Sequence, residues 1–174
     1  MDDDVTYMRE ALLHAKKAAE IGEVPVGAVI VHNGKVIARG YNRPITTHDP
    51  TAHAEIVALR EAAAVLENYR LPECEMYVTL EPCIMCVGAM FHARLKRIVF
   101  GANDFKTGAC GSLVDLTTDS VVNHHASVKG NVLAEDAVGI LQEFFATRRA
   151  DAKAKKRREK MIEGNGVIGE SGKD

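Results

Sequence analysis

A chain of 174 residues, 47% hydrophobic and 26% charged, has the makings of one ordinary soluble domain rather than a disordered segment. Four cysteines are too few for a disulfide scaffold, and a core of this size needs none. The net charge of −2 hides an asymmetry: residues 148–160 hold eight basic and two acidic side chains, the pattern of a solvated helix end or of a segment drawn to a polyanion.

The acidic start "MDDDVTYM" has neither the positive charge nor the apolar stretch of a secretory signal. The uncharged span around the cysteines, 82–93, is far too short to cross a membrane. The expectation is a cytoplasmic protein with reduced thiols and no membrane contact. Residues 6–21 carry Met8, Leu12, Ala15 and Ala19 at helical spacing and end near Gly22. Two β-branched runs flank His32-Asn33-Gly34-Lys35, which predicts a hairpin with a type I′ turn. "YNRPITTHDPTA" reads as a loop, punctuated by Pro44 and Pro50. A second helix starts near Ala52, with Ile56, Leu59 and Ala63 as its apolar stripe and Thr51 or Asp49 as its cap.

"EMYVTL" is a third strand. Pro82 suits the first turn of a helix through "CIMCVGAMFHAR", and "RIVFGA" is a fourth strand. The strand-helix-strand step across this helix predicts a right-handed crossover with the two strands parallel. "NDFKTGACGSLVD" is a glycine-punctuated loop, and 121–132 is loop with a short strand. Residues 134–149 form a last helix around Val138, Leu141 and Phe145, which the basic run can extend. Residues 1–160 are read as a single domain with a basic C-terminal helix, and 161–174 as a disordered tail. Helices packed on a central sheet make the fold class α/β.

His53-Ala54-Glu55 and, thirty residues on, Pro82-Cys83-Ile84-Met85-Cys86 are the residues with chemistry. Cysteines three apart share one face of a helical turn, and two thiolates with an imidazole suit Zn²⁺. Three protein ligands leave one position where water can bind and lose a proton near neutrality, with Glu55 beside it as proton carrier. Two other readings stand beside this one. A redox C-x-x-C pair would leave His53 and Glu55 without a task. A structural zinc site would take a fourth ligand from Cys74, Cys110 or His92.

H-A-E with P-C-x-x-C is the zinc deaminase signature, and the chain resembles the cytidine deaminase-like superfamily over most of its length. "EVPVGAVIV", "YNRPITTHDPTAHAEI", "NYRL", "YVTLEPCIMCVGAM" and "VFGANDFKTGACGSL" are more closely similar to the bacterial tRNA-specific adenosine deaminases. That resemblance implies a three-layer α/β/α fold with a central mixed five-stranded sheet. It implies one Zn²⁺ per subunit on His53, Cys83 and Cys86, with Glu55 carrying protons as adenosine becomes inosine at a tRNA wobble position. It implies that Asn42 hydrogen-bonds the nucleoside, that Ala54 lies against the base, and that Asp104 is a polar contact near the anticodon loop. It also implies a homodimer acting on the tRNA anticodon stem-loop. Tyr41, Asn103 and Cys110 depart from the family pattern, which commonly has tryptophan, arginine and alanine there. Two further functions stand beside this one: a zinc deaminase of a free base or nucleoside (guanine, cytosine or cytidine), which shares all four chemical residues and differs in having no use for the basic tail, and an RNA-binding protein with a structural zinc.

Overall fold

The structure, a computed structural model, describes residues 3–165. Its elements are α1 (Asp3–Glu20), β1 (Gly27–His32), β2 (Lys35–Tyr41), α2 (Pro44–Thr47), α3 (Ala54–Leu66), β3 (Cys74–Leu80), α4 (Ile84–His92), β4 (Arg97–Ala102), β5 (Ser127–Lys129) and α5 (Ala134–Asn165). The strands form one mixed sheet in the order β2-β1-β3-β4-β5. β1 runs antiparallel to β2 and to β3, while β3, β4 and β5 run parallel. Asn33 and Gly34 have φ of 50° and 71°, the two positive values that a type I′ turn requires. β3 and β4 are parallel because the chain returns through α4 before re-entering the sheet.

Alternation along β1 assigns the layers. Ala28 and Ile30 pack with Met76, Val78 and Ile98 beneath α3 and α4. Val29 and Val31 pack on the other face with Tyr77 and Val99 beneath α1. Both faces of the sheet are therefore covered, which gives the three-layer α/β/α arrangement. Fully buried side chains such as Ile30, Met76 and Met90 each contribute on the order of 1.5–3 kcal/mol by leaving water. At the far end of the sheet from the cysteines, Asp4 of α1 clasps three strands. Its carboxylate accepts from Arg97 Nη1 at 2.7 Å and Nη2 at 2.8 Å, from Lys129 Nζ at 2.6 Å, and from Tyr77 OH at 2.9 Å.

Several sequence expectations shift. α1 begins at Asp3 and buries Ala18 rather than Ala19. The predicted loop contains a one-turn helix, α2. α3 begins at Ala54, and neither Thr51 nor Asp49 caps it: Asp49 Oδ1 instead accepts the Thr51 N–H and hydroxyl. Its buried stripe runs through Ala58, Leu59 and Ala62, one residue off the predicted Ala63. In α5 the buried residue is Ala137, while Val138 is 38% exposed and Phe145 is 40% exposed.

The chain divides into two compact units, Met1–Leu141 and Gln142–Asp174. The first holds the sheet and its two packed faces. The described part of the second is the helix that reaches Asn165, with all eight basic residues of 148–160 exposed. Of the expected tail, 161–165 are the last turn of α5, and 166–174 lie outside the described residues. No described helix is long and apolar enough to cross a membrane.

Candidate metal centre

Two helix starts meet at the cleft. His53 is the N-cap of α3 and Cys83 the N-cap of α4, both with extended backbone and neither with a side-chain cap bond. The cap of α3 comes from outside the helix: Asn42 Oδ1 accepts the Ala54 N–H at 2.9 Å. That bond frees the imidazole for other work. Close approach makes the geometry possible, because a Cβ on Gly40 of β2 would lie 2.2 Å from the Ala54 carbonyl oxygen. Cys86 lies one turn into α4, on the face of Cys83, and is fully buried.

The His53 Nδ1 lies 3.6 Å from Cys83 Sγ and 3.5 Å from Cys86 Sγ, and the three ligand atoms are within 4.8 Å of one another. Zinc bonds of roughly 2.3 Å to sulfur and 2.0 Å to nitrogen, meeting at a tetrahedral angle, set the outer atoms about 3.5 Å apart. The donor set and spacing thus fit zinc. Among the described residues, none of Cys74, Cys110 or His92 joins the cluster, and all four cysteines are free thiols. Burial pushes the Cys74 thiol up to about 11 and the Cys110 thiol up to about 12, so both stay neutral. The Cys86 thiol donates to Cys83 and, together with the His53 imidazole, brings Cys83 down to about 4. Cys86, as the donor, is held protonated well above the usual thiol range. A divalent cation would take the place of that shared proton.

Glu55 is 4% exposed, and burial pushes its carboxyl up to about 7 against the pull of the neighbouring His53. It borders a cleft of about 260 Å³, together with Asn42, His53, Cys83 and Asp104. A carboxyl poised near neutrality beside a soft-ligand cation site is the equipment of metal-assisted hydrolysis with proton transfer.

Relatives agree with this chemistry. The family model for the cytidine and deoxycytidylate deaminase zinc-binding region matches residues 1–102. The chain is 50% identical over 154 residues to the tRNA-specific adenosine deaminase of Haemophilus influenzae, covering 88% of this chain and 89% of that one. It is 46% identical to the enzyme of the same name from Bacillus subtilis, covering 88% and 96%. A solved structure from studies of A-to-I editing by tRNA:A34 deaminases at the wobble position superposes with a TM-score of 0.76 at 43% identity, over 78% of this chain and 99% of that one. The chain belongs to the tRNA-specific adenosine deaminases.

In this deaminase the remaining residues singled out from sequence are placed unevenly. Ala54 is fully buried and does not border the cleft. Asp104 does border it, but its carboxylate serves its own loop, accepting from Lys106 N, Thr107 N and the Thr107 hydroxyl. Tyr41 is covered by Arg43, whose guanidinium lies 5.5 Å from the ring centroid, and by the His14 ring at 6.3 Å. Two cleft carboxylates escaped the sequence reading. Glu23, 2% exposed, accepts the Thr46 N–H at 2.7 Å and its hydroxyl at 2.9 Å, and so fixes α2 as one wall. Glu81, also 2% exposed, gathers donors from the loop that forms the opposite wall. The only signal for either was a lone carboxylate abutting an apolar run, in "GEVPVGA" and "TLEPC".

Proposed function

We propose that this chain hydrolyses adenosine to inosine at the wobble position of a tRNA anticodon, consuming water and releasing ammonia. The observation that carries the reading is the zinc-shaped triad with Glu55 buried beside it, in a chain half identical to a tRNA-specific adenosine deaminase. His53, Cys83 and Cys86 would hold the zinc. When bound, the metal supplies a Lewis acid that makes water nucleophilic near neutral pH.

The chain's own residues do the rest. Glu55 takes a proton from the attacking water and gives it to N1 of the adenine ring, then takes the second proton from the oxygen now bonded to C6 and delivers it to the amine as the C–N bond breaks. Burial raises the Glu55 carboxyl and a bound cation lowers it, and a carboxyl held between those two effects can both accept and release protons. Asn42 Oδ1 is engaged by Ala54, which leaves the Nδ2 amide to donate to the nucleoside. Ala54 acts through that N–H, and Asp104 through the loop it shapes. The base must be unstacked to enter, so a splayed anticodon loop suits the cleft and a duplex does not. The basic run at 148–160 adds phosphate attraction, which makes binding weaken with salt. The working form in this reading is a cytoplasmic homodimer; exposed Ile84, Met85, Leu113 and Val114 offer apolar surface for it.

The test is to incubate the zinc-loaded protein with tRNA and analyse the nucleosides by mass. Inosine should appear at the wobble position. An unchanged wobble adenosine, with stoichiometric zinc in the protein, would end this reading.

A further inference from the structure

The turn that bears Cys83 is stitched to the loop that follows β4 by three successive residues. Glu81 uses its side chain: Oε1 accepts the Cys110 N–H at 2.9 Å and the Ser112 N–H at 3.0 Å, while Oε2 accepts the Asp104 N–H at 3.0 Å and the Ser112 hydroxyl. Pro82 uses its carbonyl, which accepts the Ala109 N–H at 2.8 Å. Cys83 pairs backbone to backbone with Gly108. Asp104 and Thr107 of the same loop border the cleft.

We infer that Glu81 is a positioning residue for the deamination: its buried carboxylate holds the loop from Asp104 to Ser112 as a preformed wall, so that the nucleoside meets an ordered cleft. This deepens the proposed function and rests on it. The chemistry of the contact supports a carboxylate specifically. All four partners are donors, and they approach both oxygens, so the site needs two acceptors and no donor. An amide of the same shape offers one oxygen and turns an NH2 group on the remaining donors. Space is as strict as polarity. A Cβ on Gly108 would lie 2.5 Å from Glu81 Cδ and 2.6 Å from Oε2, and 2.4 Å from the Asp104 carbonyl oxygen. A glycine there lets the loop close over the carboxylate. Neither residue is needed to hold the metal. A loosened loop must be ordered by the substrate at each binding event, which weakens affinity while leaving the chemical step intact once the complex has formed.

The experiment compares the zinc-loaded parent with Glu81→Gln and Gly108→Ala. It measures zinc content, amide hydrogen exchange, and kcat and KM on tRNA. In both variants zinc should stay stoichiometric. Exchange at one or more of the Asp104, Cys110 and Ser112 amides should quicken by roughly tenfold or more, and KM should rise by a similar factor with kcat within about threefold. Should Glu81→Gln fail to fold, Gly108→Ala carries the test with the carboxylate in place. Unchanged exchange at those three amides would overturn the inference. So would faster exchange with an unchanged KM, or a loss of zinc, which would make Glu81 a support of the metal rather than of the wall. If the parent itself leaves tRNA unaltered, the proposed function fails, and the exchange data alone judge the hold of Glu81 on the loop.

Discussion

Asn42 caps a helix that begins twelve residues later: its Oδ1 accepts the Ala54 N–H at 2.9 Å. His53, at the N-cap position, is thereby released to face Cys83 and Cys86. One side chain thus shapes the metal site and also lines the cleft, and substitution can separate the two tasks.

Asn42→Asp keeps an acceptor for Ala54 but removes the amide donor. Thermal stability and zinc content should stay near the parent, while kcat/KM falls about 10- to 100-fold from the missing hydrogen bond to substrate. Asn42→Ala should additionally lose about 1 kcal/mol of stability with the cap. Calorimetry and single-turnover kinetics read the two effects apart, and equal activity in Asn42→Asp and the parent would remove the amide from substrate binding.

Glu55→Gln should retain zinc and fold while turnover drops by at least about 10²–10⁴-fold. The carboxyl also leaves a mark on stability. Its folded value, about 7, lies above the ordinary carboxyl range because burial disfavours the charge. The folded state therefore holds its proton more tightly than the unfolded chain does. Relative stability is full at acid pH and is lost as pH climbs through 7. In metal-stripped protein, Glu55→Gln should be more stable than the parent above neutrality, by on the order of 2–3 kcal/mol, and no more stable near pH 4. Denaturant titrations at the two pH values measure it. A bound cation pulls the carboxyl downward and should shrink the difference.

At the opposite end of the sheet, the Arg97 guanidinium holds Asp4 well below the usual carboxylate range. Here the sign reverses: the stabilisation is present above about pH 4 and is lost as pH falls toward the depressed folded value. Asp4→Asn should cost roughly 1–3 kcal/mol at pH 7, since it removes the charged acceptor on which half-buried Arg97 and exposed Lys129 converge, while Glu75 still faces Arg97. The deficit should narrow steadily below about pH 4, with kcat and zinc content unchanged throughout. A deficit independent of pH would mean that packing, not charge, is what Asp4 supplies.

Exchanging the basic residues of 148–160 for glutamine should raise KM for tRNA and flatten its dependence on salt, since each phosphate that the protein neutralises adds about 0.7–0.9 to the slope of log affinity against log salt. Turnover of a free nucleoside, if detectable, should not move. Identical salt slopes for variant and parent would confine this run to solubility.

Much of this was legible in the sequence because its signals were local. Asn33-Gly34 carries its turn in two residues, β4 is a bounded apolar run, and the cysteine spacing is a single helical turn. What escaped depends on chain that returns from elsewhere. The cap of α3 arrives from across a loop, so Thr51 and Asp49 were the nearer candidates. Glu81 is buried only because residues 104–112 fold back on it, and Glu23 only because α2 does. Asp104, expected as a polar contact near the anticodon loop, borders the cleft, and its carboxylate also accepts hydrogen bonds within its own loop, which sequence alone does not show.

The parallel run of β3 and β4 sends the chain out of the sheet twice at one rim, once into Cys83 and once into the loop beyond Ala102. Drift in substrate preference is therefore channelled. Changes between Asp104 and Ser112 must return the same amide hydrogens to one carboxylate, and the stretch just past Ser112 is tied to that loop in turn, with the Val114 and Leu116 N–H groups donating to the Gly108 and Ala109 carbonyls.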